Sequence, residues 1–280
     1  MSNKLFDSHC HPQFPQYDAD REEVIKRTLA AGCGMICVGT DLDMSKKAIE
    51  LAEKYDGPPS PGGFGGASIW ATVGLHPHDV GAEMKIEDFE ELAKHPKVVG
   101  IGETGLDYYR TPEKEKQEKQ KEVFRQFLEL SKKLGKPIII HCRDAHDDLL
   151  AILNSHSLIP NLSPRGVIHS FTGTSADATR YLKLGFYIAL NGIITFSDAY
   201  DEFIKVLPLN RFLIETDAPC LAPEPYRGKR NEPLYVAEVA KKIAELKGMD
   251  YDKVASATFE NTRKLFKIHI PRKYEARLIK

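Results

Sequence analysis

Nothing in this chain reads as a membrane-spanning helix, because no run of about 18 uncharged apolar residues occurs in it. The opening Met1-Ser2-Asn3-Lys4 lacks the charged, apolar and small-residue succession of a secretory leader, which predicts a cytoplasmic protein. Cysteine is sparse: Cys10, Cys33, Cys37, Cys142 and Cys220 are odd in number and form no C-x-x-C pair. That excludes a disulfide-stapled scaffold and fits a reducing compartment. There is no excess of charge of either sign either, since 39 basic against 40 acidic residues give a net charge of −1. A chain-wide basic nucleic-acid binder is thereby excluded, and any polyanionic substrate has to be held by local groups.

What is present is core-forming material: 280 residues, 42% of them hydrophobic, enough for one large α/β domain spanning residues 1–280. Short apolar runs, each followed by a polar helix-like stretch, predict strands at residues 4–9, 34–39, 69–74, 98–101, 137–141, 166–169, 186–190 and 212–215. Runs such as Met35-Ile36-Cys37-Val38 lack polar alternation, as strands buried on both faces of a parallel sheet do. The plainest helix signal begins at Thr111 as N-cap with Pro112 at its first position, and ends near Gly135. Val123, Phe127, Leu130 and Leu134 mark its buried face, and its Lys/Glu/Gln-rich stretch 113–122 reads as solvated. Eight strands alternating with helices predict a (β/α)8 TIM-type barrel, ahead of a doubly wound open sheet. The Pro/Gly-rich stretch 57–66 reads as a loop without the Lys-Ser/Thr of a phosphate-binding P-loop.

The predicted strand ends carry the chemistry. His9 and His11 are two apart on an extended segment, so both imidazoles face one point. Strand four closes on Glu103, strand five on His141, strand six on His169 and strand eight on Asp217, every one a metal-competent side chain. In a TIM barrel these C-terminal ends line the active-site face. Four imidazoles and two carboxylates exceed the three protein ligands of a mononuclear catalytic zinc site and suit two divalent ions, Mg, Mn or Zn, with Glu103 as the expected bridge. Asp217 and Glu103 are the expected catalytic carboxylates. Cys10 and Cys142 alternate with ligands and should point away from the metals, and Cys220 is read as structural.

The segments around these residues resemble, in order and along nearly the whole chain, the TatD-type metal-dependent deoxyribonucleases of the amidohydrolase superfamily. They are Phe6-Asp7-Ser8-His9-Cys10-His11, Val73-Gly74-Leu75-His76-Pro77-His78, Gly102-Glu103-Thr104-Gly105-Leu106-Asp107-Tyr108-Tyr109, His141-Cys142-Arg143-Asp144-Ala145, His169-Ser170-Phe171-Thr172-Gly173 and Glu215-Thr216-Asp217-Ala218-Pro219. Residues 226–233 and Asn261-Thr262 extend the likeness, while Thr104 departs from the aliphatic residue usual in that family. The resemblance implies a TIM barrel, divalent-metal dependence and hydrolysis of phosphodiester bonds at DNA ends, with the metal ligands on the six residues already chosen. It also makes His76, Arg143, Arg227 and Lys229 candidates for holding a DNA or nucleotide substrate, and it implies no protein partner.

Two rival readings compete. Gly100-Ile101-Gly102-Glu103-Thr104-Gly105 spells the dinucleotide-binding G-x-G-x-x-G, but no helix opens within it. The closer rival is an amidohydrolase acting on a C–N bond, ester or lactone of a small molecule. Such enzymes often bridge their metals with a carbamylated lysine, which strands four, five and six do not supply.

Overall fold

The computed structural model describes residues 5–55, 68–81, 84–155 and 165–268, so the stretch 57–66 lies outside the described residues. Its strands are β1 (Leu5–Cys10), β2 (Cys33–Val38), β3 (Ile69–Val73), β4 (Val98–Asp107), β5 (Ile138–Arg143), β6 (Gly166–Ile168), β7 (Tyr187–Leu190) and β8 (Phe212–Ile214). They form one sheet in sequence order, alternating with helices, as the predicted (β/α)8 TIM-type barrel requires. Among the described residues no helix is long and apolar enough to cross a membrane. The chain divides into two compact units: Met1–Cys37, Glu50–Trp70 and Leu190–Lys280 make the first, Val38–Ile49 and Ala71–Ala189 the second.

In the first unit β1 is buried along its whole length and pairs in parallel with β2, Leu5 opposite Cys33 and Asp7 opposite Met35. Apolar residues on both faces of β1 require cover, and helix α9 (Tyr251–Phe266) supplies some of it, Phe259 packing its ring 6.2 Å from that of Phe6. Burying a side chain of this size contributes about 1.5–3 kcal/mol. Asn261, on the same helix, donates from its amide to the carbonyls of Leu209 and Phe212 at 2.9 and 2.8 Å. That anchors the start of β8 and thereby the segment that carries Asp217.

In the second unit β4 is the long element, and here two expectations are corrected. The strand does not stop at 101 or at Glu103 but runs to Asp107, pairing with β5 as Gly105 to His141 and Asp107 to Arg143. Gly105 makes this possible: at φ 151° a Cβ there would lie 2.0 Å from the His141 carbonyl oxygen. The helix α4 begins at Lys114 with Glu113 as N-cap rather than at Thr111, and ends as expected at left-handed Gly135. Thr111 instead accepts a hydrogen bond at its hydroxyl from Gln120, 3.0 Å. The stretch 113–122 is not uniformly solvated either, because Gln117 and Gln120 are buried. Gln120 accepts from the Asp107 N–H and donates to the Pro77 carbonyl, both 3.0 Å, tying the end of β4 to the turn after His76. The apolar face of α4 falls where predicted for Val123, Phe127 and Leu130, which are buried, Phe127 edge-on to Phe89, whereas Leu134 in the last turn is only half-buried.

Candidate metal centre

In the first unit the segment following β8 runs on beside β1. The N–H of Asp217 donates to the His9 carbonyl at 2.9 Å, the N–H of His11 donates to the Ala218 carbonyl at 2.7 Å, and Cys10 bridges Ala218 in parallel. Asp217 therefore sits three residues past β8 rather than on it, with a left-handed φ of 56°. This places its carboxylate 3.8 Å from His9 Nε2 and 3.5 Å from His11 Nε2, with the two ring nitrogens 3.1 Å apart. The imidazoles are buried, whereas the Asp217 side chain is 20% exposed. Stacking on Phe14, with ring planes 16° apart, sets the plane of His11. As expected for alternating strand positions, Cys10 points elsewhere, its thiol 3.4 Å from the Ile36 carbonyl.

Beneath this trio lies a residue that the sequence reading did not single out. Asp7 is fully buried and accepts from the Thr216 N–H at 2.9 Å, the Thr216 hydroxyl at 2.5 Å and the His9 N–H at 3.2 Å. Burial pushes its carboxyl well above the usual range, and these hydrogen bonds pull the other way. Asn231 adds a second tie, donating to the Thr216 and Cys220 carbonyls at 2.9 and 2.6 Å. Cys220 thus serves through its backbone while its side chain is exposed.

The second unit holds a denser group. Glu103 Oε1 lies 2.8 Å from His141 Nδ1, 3.1 Å from His169 Nε2 and 3.6 Å from His76 Nε2. His141 Nε2 in turn faces Asp107 Oδ2 at 3.2 Å. Asp107 was missed because the strand was expected to end early; with β4 running on, Glu103, Gly105 and Asp107 share one face by strand alternation. Although burial raises the Glu103 carboxyl, the neighbouring His169, His76 and His141 hold it well below the usual range. Asp107 is likewise brought down to about 2: His141 and the Arg110 N–H outweigh its desolvation. Burial lowers His141, but the two carboxylates more than reverse this and raise it. Burial pushes His76 down to about 3, so its ring is neutral at physiological pH. The His78 N–H donates to His76 Nδ1 at 3.1 Å, which assigns the ring proton to Nε2, the nitrogen turned toward Glu103.

These donor sets fit divalent cations. Carboxylate oxygen and imidazole nitrogen are the ligands of such ions, and within the second unit Glu103, His141 and His169 offer donors within 4.8 Å of one another, as do His76, Asp107 and His141. The two carboxylates that raise the His141 imidazole favour positive charge at that position, whether carried by a proton or by a cation.

Of the residues expected to hold substrate, His76 lies at the Glu103 group. Arg143 ends β5, with its guanidinium carbon 3.8 Å from the ring centroid of Tyr109. Arg227 lies 3.8 Å over the Phe196 ring and donates to the Ala222 carbonyl, and Lys229 is exposed. The neighbouring Arg230 is committed to a two-pronged ion pair with Asp20 at 2.7 Å. Cys142 points toward His146 Nδ1 at 3.3 Å rather than toward the metal donors.

Comparison with known proteins gives one consistent result. A family model described as TatD related DNase matches residues 6–267. An uncharacterized metal-dependent hydrolase, YabD of Bacillus subtilis, is 43% identical over 271 residues, 95% of this chain and 100% of its own. A 3'-5' ssDNA/RNA exonuclease TatD from Enterobacter lignolyticus is 35% identical over 277 residues, 94% of this chain and 98% of its own. Among solved structures, the TatD homolog YJJV from Escherichia coli superposes with a TM-score of 0.82 at 30% identity, covering 96% of this chain and 100% of its own.

Proposed function

The chain belongs to the TatD-related DNase family, and from that membership we propose that it is a divalent-metal-dependent nuclease hydrolysing phosphodiester bonds at DNA ends. The observation that carries this reading is the convergence of His141, His169 and His76 on one oxygen of ionised Glu103. Such a group is built to hold positive charge. In this reading each chain takes two divalent ions, Mg, Mn or Zn, one held by His9, His11 and Asp217 and one by Glu103, His141 and His169. Bound there, the ions supply Lewis acidity and bring the pKa of a water toward neutrality.

The chain's own residues do the rest. Asp217, the more exposed carboxylate, accepts the proton of the attacking water, a role that requires room to move. Glu103 is the fixed charge that orients the imidazoles around it. Neutral His76, with its proton on Nε2, donates a hydrogen bond to a phosphoryl oxygen. Arg143, Arg227 and Lys229 furnish the local positive field that a net charge of −1 does not. Cleavage of a C–N bond is the less favoured alternative, because β4, β5 and β6 contain no lysine to carbamylate.

The test is a panel of single-stranded DNA, ester and amide substrates presented to metal-stripped protein before and after addition of Mg, Mn or Zn. DNA hydrolysis should vanish on stripping and return with metal. Full DNA hydrolysis in excess chelator, with metal removal verified, would overturn the reading, as would hydrolysis of the amide alone.

A further inference from the structure

Among the described residues only two Phe, Tyr or Trp side chains are exposed, Tyr109 at 62% and Phe196 at 40%. Single exposed apolar side chains are ordinary. These two share something less ordinary: each ring has an arginine guanidinium 3.8 Å from its centroid, Arg143 against Tyr109 and Arg227 against Phe196. A guanidinium packed on one face of a ring holds that ring in place, so a further stacking partner can be taken only on the opposite face. Both pairs also sit on strand-to-helix connections or strand ends, where active sites of this fold are built. Tyr109 is two residues past Asp107 at the end of β4, and Arg143 is two past His141 on β5. Phe196 follows the short helical turn Gly192–Thr195 after β7, and Arg227 lies ten residues past Asp217 in the connection from β8 to α8 (Val236–Lys247).

We propose that Tyr109 with Arg143, and Phe196 with Arg227, are nucleobase-stacking platforms: each ring takes an unpaired base on the face opposite its arginine, which fixes the ring and presents its remaining donors to a phosphate. The proposal rests on the nuclease reading above and deepens it, since a stacked base must be unpaired. Stacking of this kind tolerates any sequence because every base has a π face, and it is a term that positive charge alone does not supply.

Fluorescence anisotropy with the full chain tests it, comparing a short oligothymidylate with an abasic oligomer of equal length and charge. The wild type should bind the base-bearing strand more tightly by about 5- to 150-fold per stacked base. Tyr109→Ala and Phe196→Ala should each lower that ratio several-fold, and Tyr109→Trp and Phe196→Trp should restore it. Equal wild-type binding of the two oligomers, or alanine variants that keep the wild-type ratio, would overturn the proposal. A wild type that prefers the base-bearing strand but hydrolyses no DNA in the presence of metal would instead sink the nuclease reading and leave the platforms standing.

Discussion

Around Glu103, two carboxylates and three imidazoles contact one another at 2.8 to 3.6 Å, while around Asp217 a single carboxylate stands 3.5 and 3.8 Å from two imidazoles. In the first group the mutual contacts hold the Glu103 and Asp107 carboxyls below their usual range and raise the His141 imidazole above its own. The second is looser and has its carboxylate partly in solvent. Burial and mutual pairing suit a group that holds a cation in place. Partial exposure suits a group that must gain and lose a proton during each turnover. In the proposed reaction the two donor groups would thus divide the labour between holding and reacting, although their chemistry is the same.

Three substitutions sharpen or break that contrast. The largest effect is expected from Glu103→Ala, which removes the carboxylate on which three imidazoles converge. Metal analysis by mass spectrometry should find at most about one ion per chain, with DNA hydrolysis at background and the circular dichroism spectrum retained. Retention of both ions would show that Glu103 holds nothing. Next comes Asp217→Asn, which keeps a ligand oxygen of the same size and a residue type at home in left-handed backbone, but removes the base. Turnover should fall by at least about a hundredfold while metal content changes less than in Glu103→Ala. If both substitutions emptied the protein of metal equally, the division between holding and reacting would be wrong. The smallest effect belongs to Thr216→Val, which deletes the hydroxyl that donates to buried Asp7. Denaturant unfolding should report a loss of about 1–3 kcal/mol. A change within experimental scatter would mean that Asp7 does not depend on that bond.

Much of the donor set was legible because strand ends of a parallel α/β fold are recognisable as apolar runs that stop at a polar residue. His9, His11, His141, His169 and Asp217 stand at or just past such stops, Glu103 stands at one in the sequence although β4 runs on to Asp107, and each takes part in one of the two groups. Asp107 was hidden because in the sequence the apolar run ends at 101 and closes on Glu103, whereas Gly105 lets β4 run on closely against β5. Thr111-Pro112 has the composition of a helix cap, but Gln120 claims the threonine hydroxyl through a tertiary hydrogen bond that no local pattern encodes. For the same reason the burial of Gln117 and Gln120 within a run of lysines and glutamates was invisible. Arg143 was legible as a residue on the His141 face, but its contact with Tyr109 depends on a neighbouring strand's loop.

Asp217 answers to two demands at once. Its carboxylate serves the donor group, and its backbone occupies the left-handed region, where an ordinary L-residue pays about 1–2 kcal/mol and Asp, Asn or Gly far less. The turn it makes also carries the hydrogen bond from its N–H to His9. A descendant of this protein that had abandoned catalysis would remain under pressure to keep a small polar residue or glycine at 217, simply to preserve the turn beside β1. Glu103 lies under no comparable constraint from a left-handed backbone. When lineages are sorted into living enzymes and relics, an aspartate at 217 is therefore the weaker witness, and the glutamate at 103 is the one to question first.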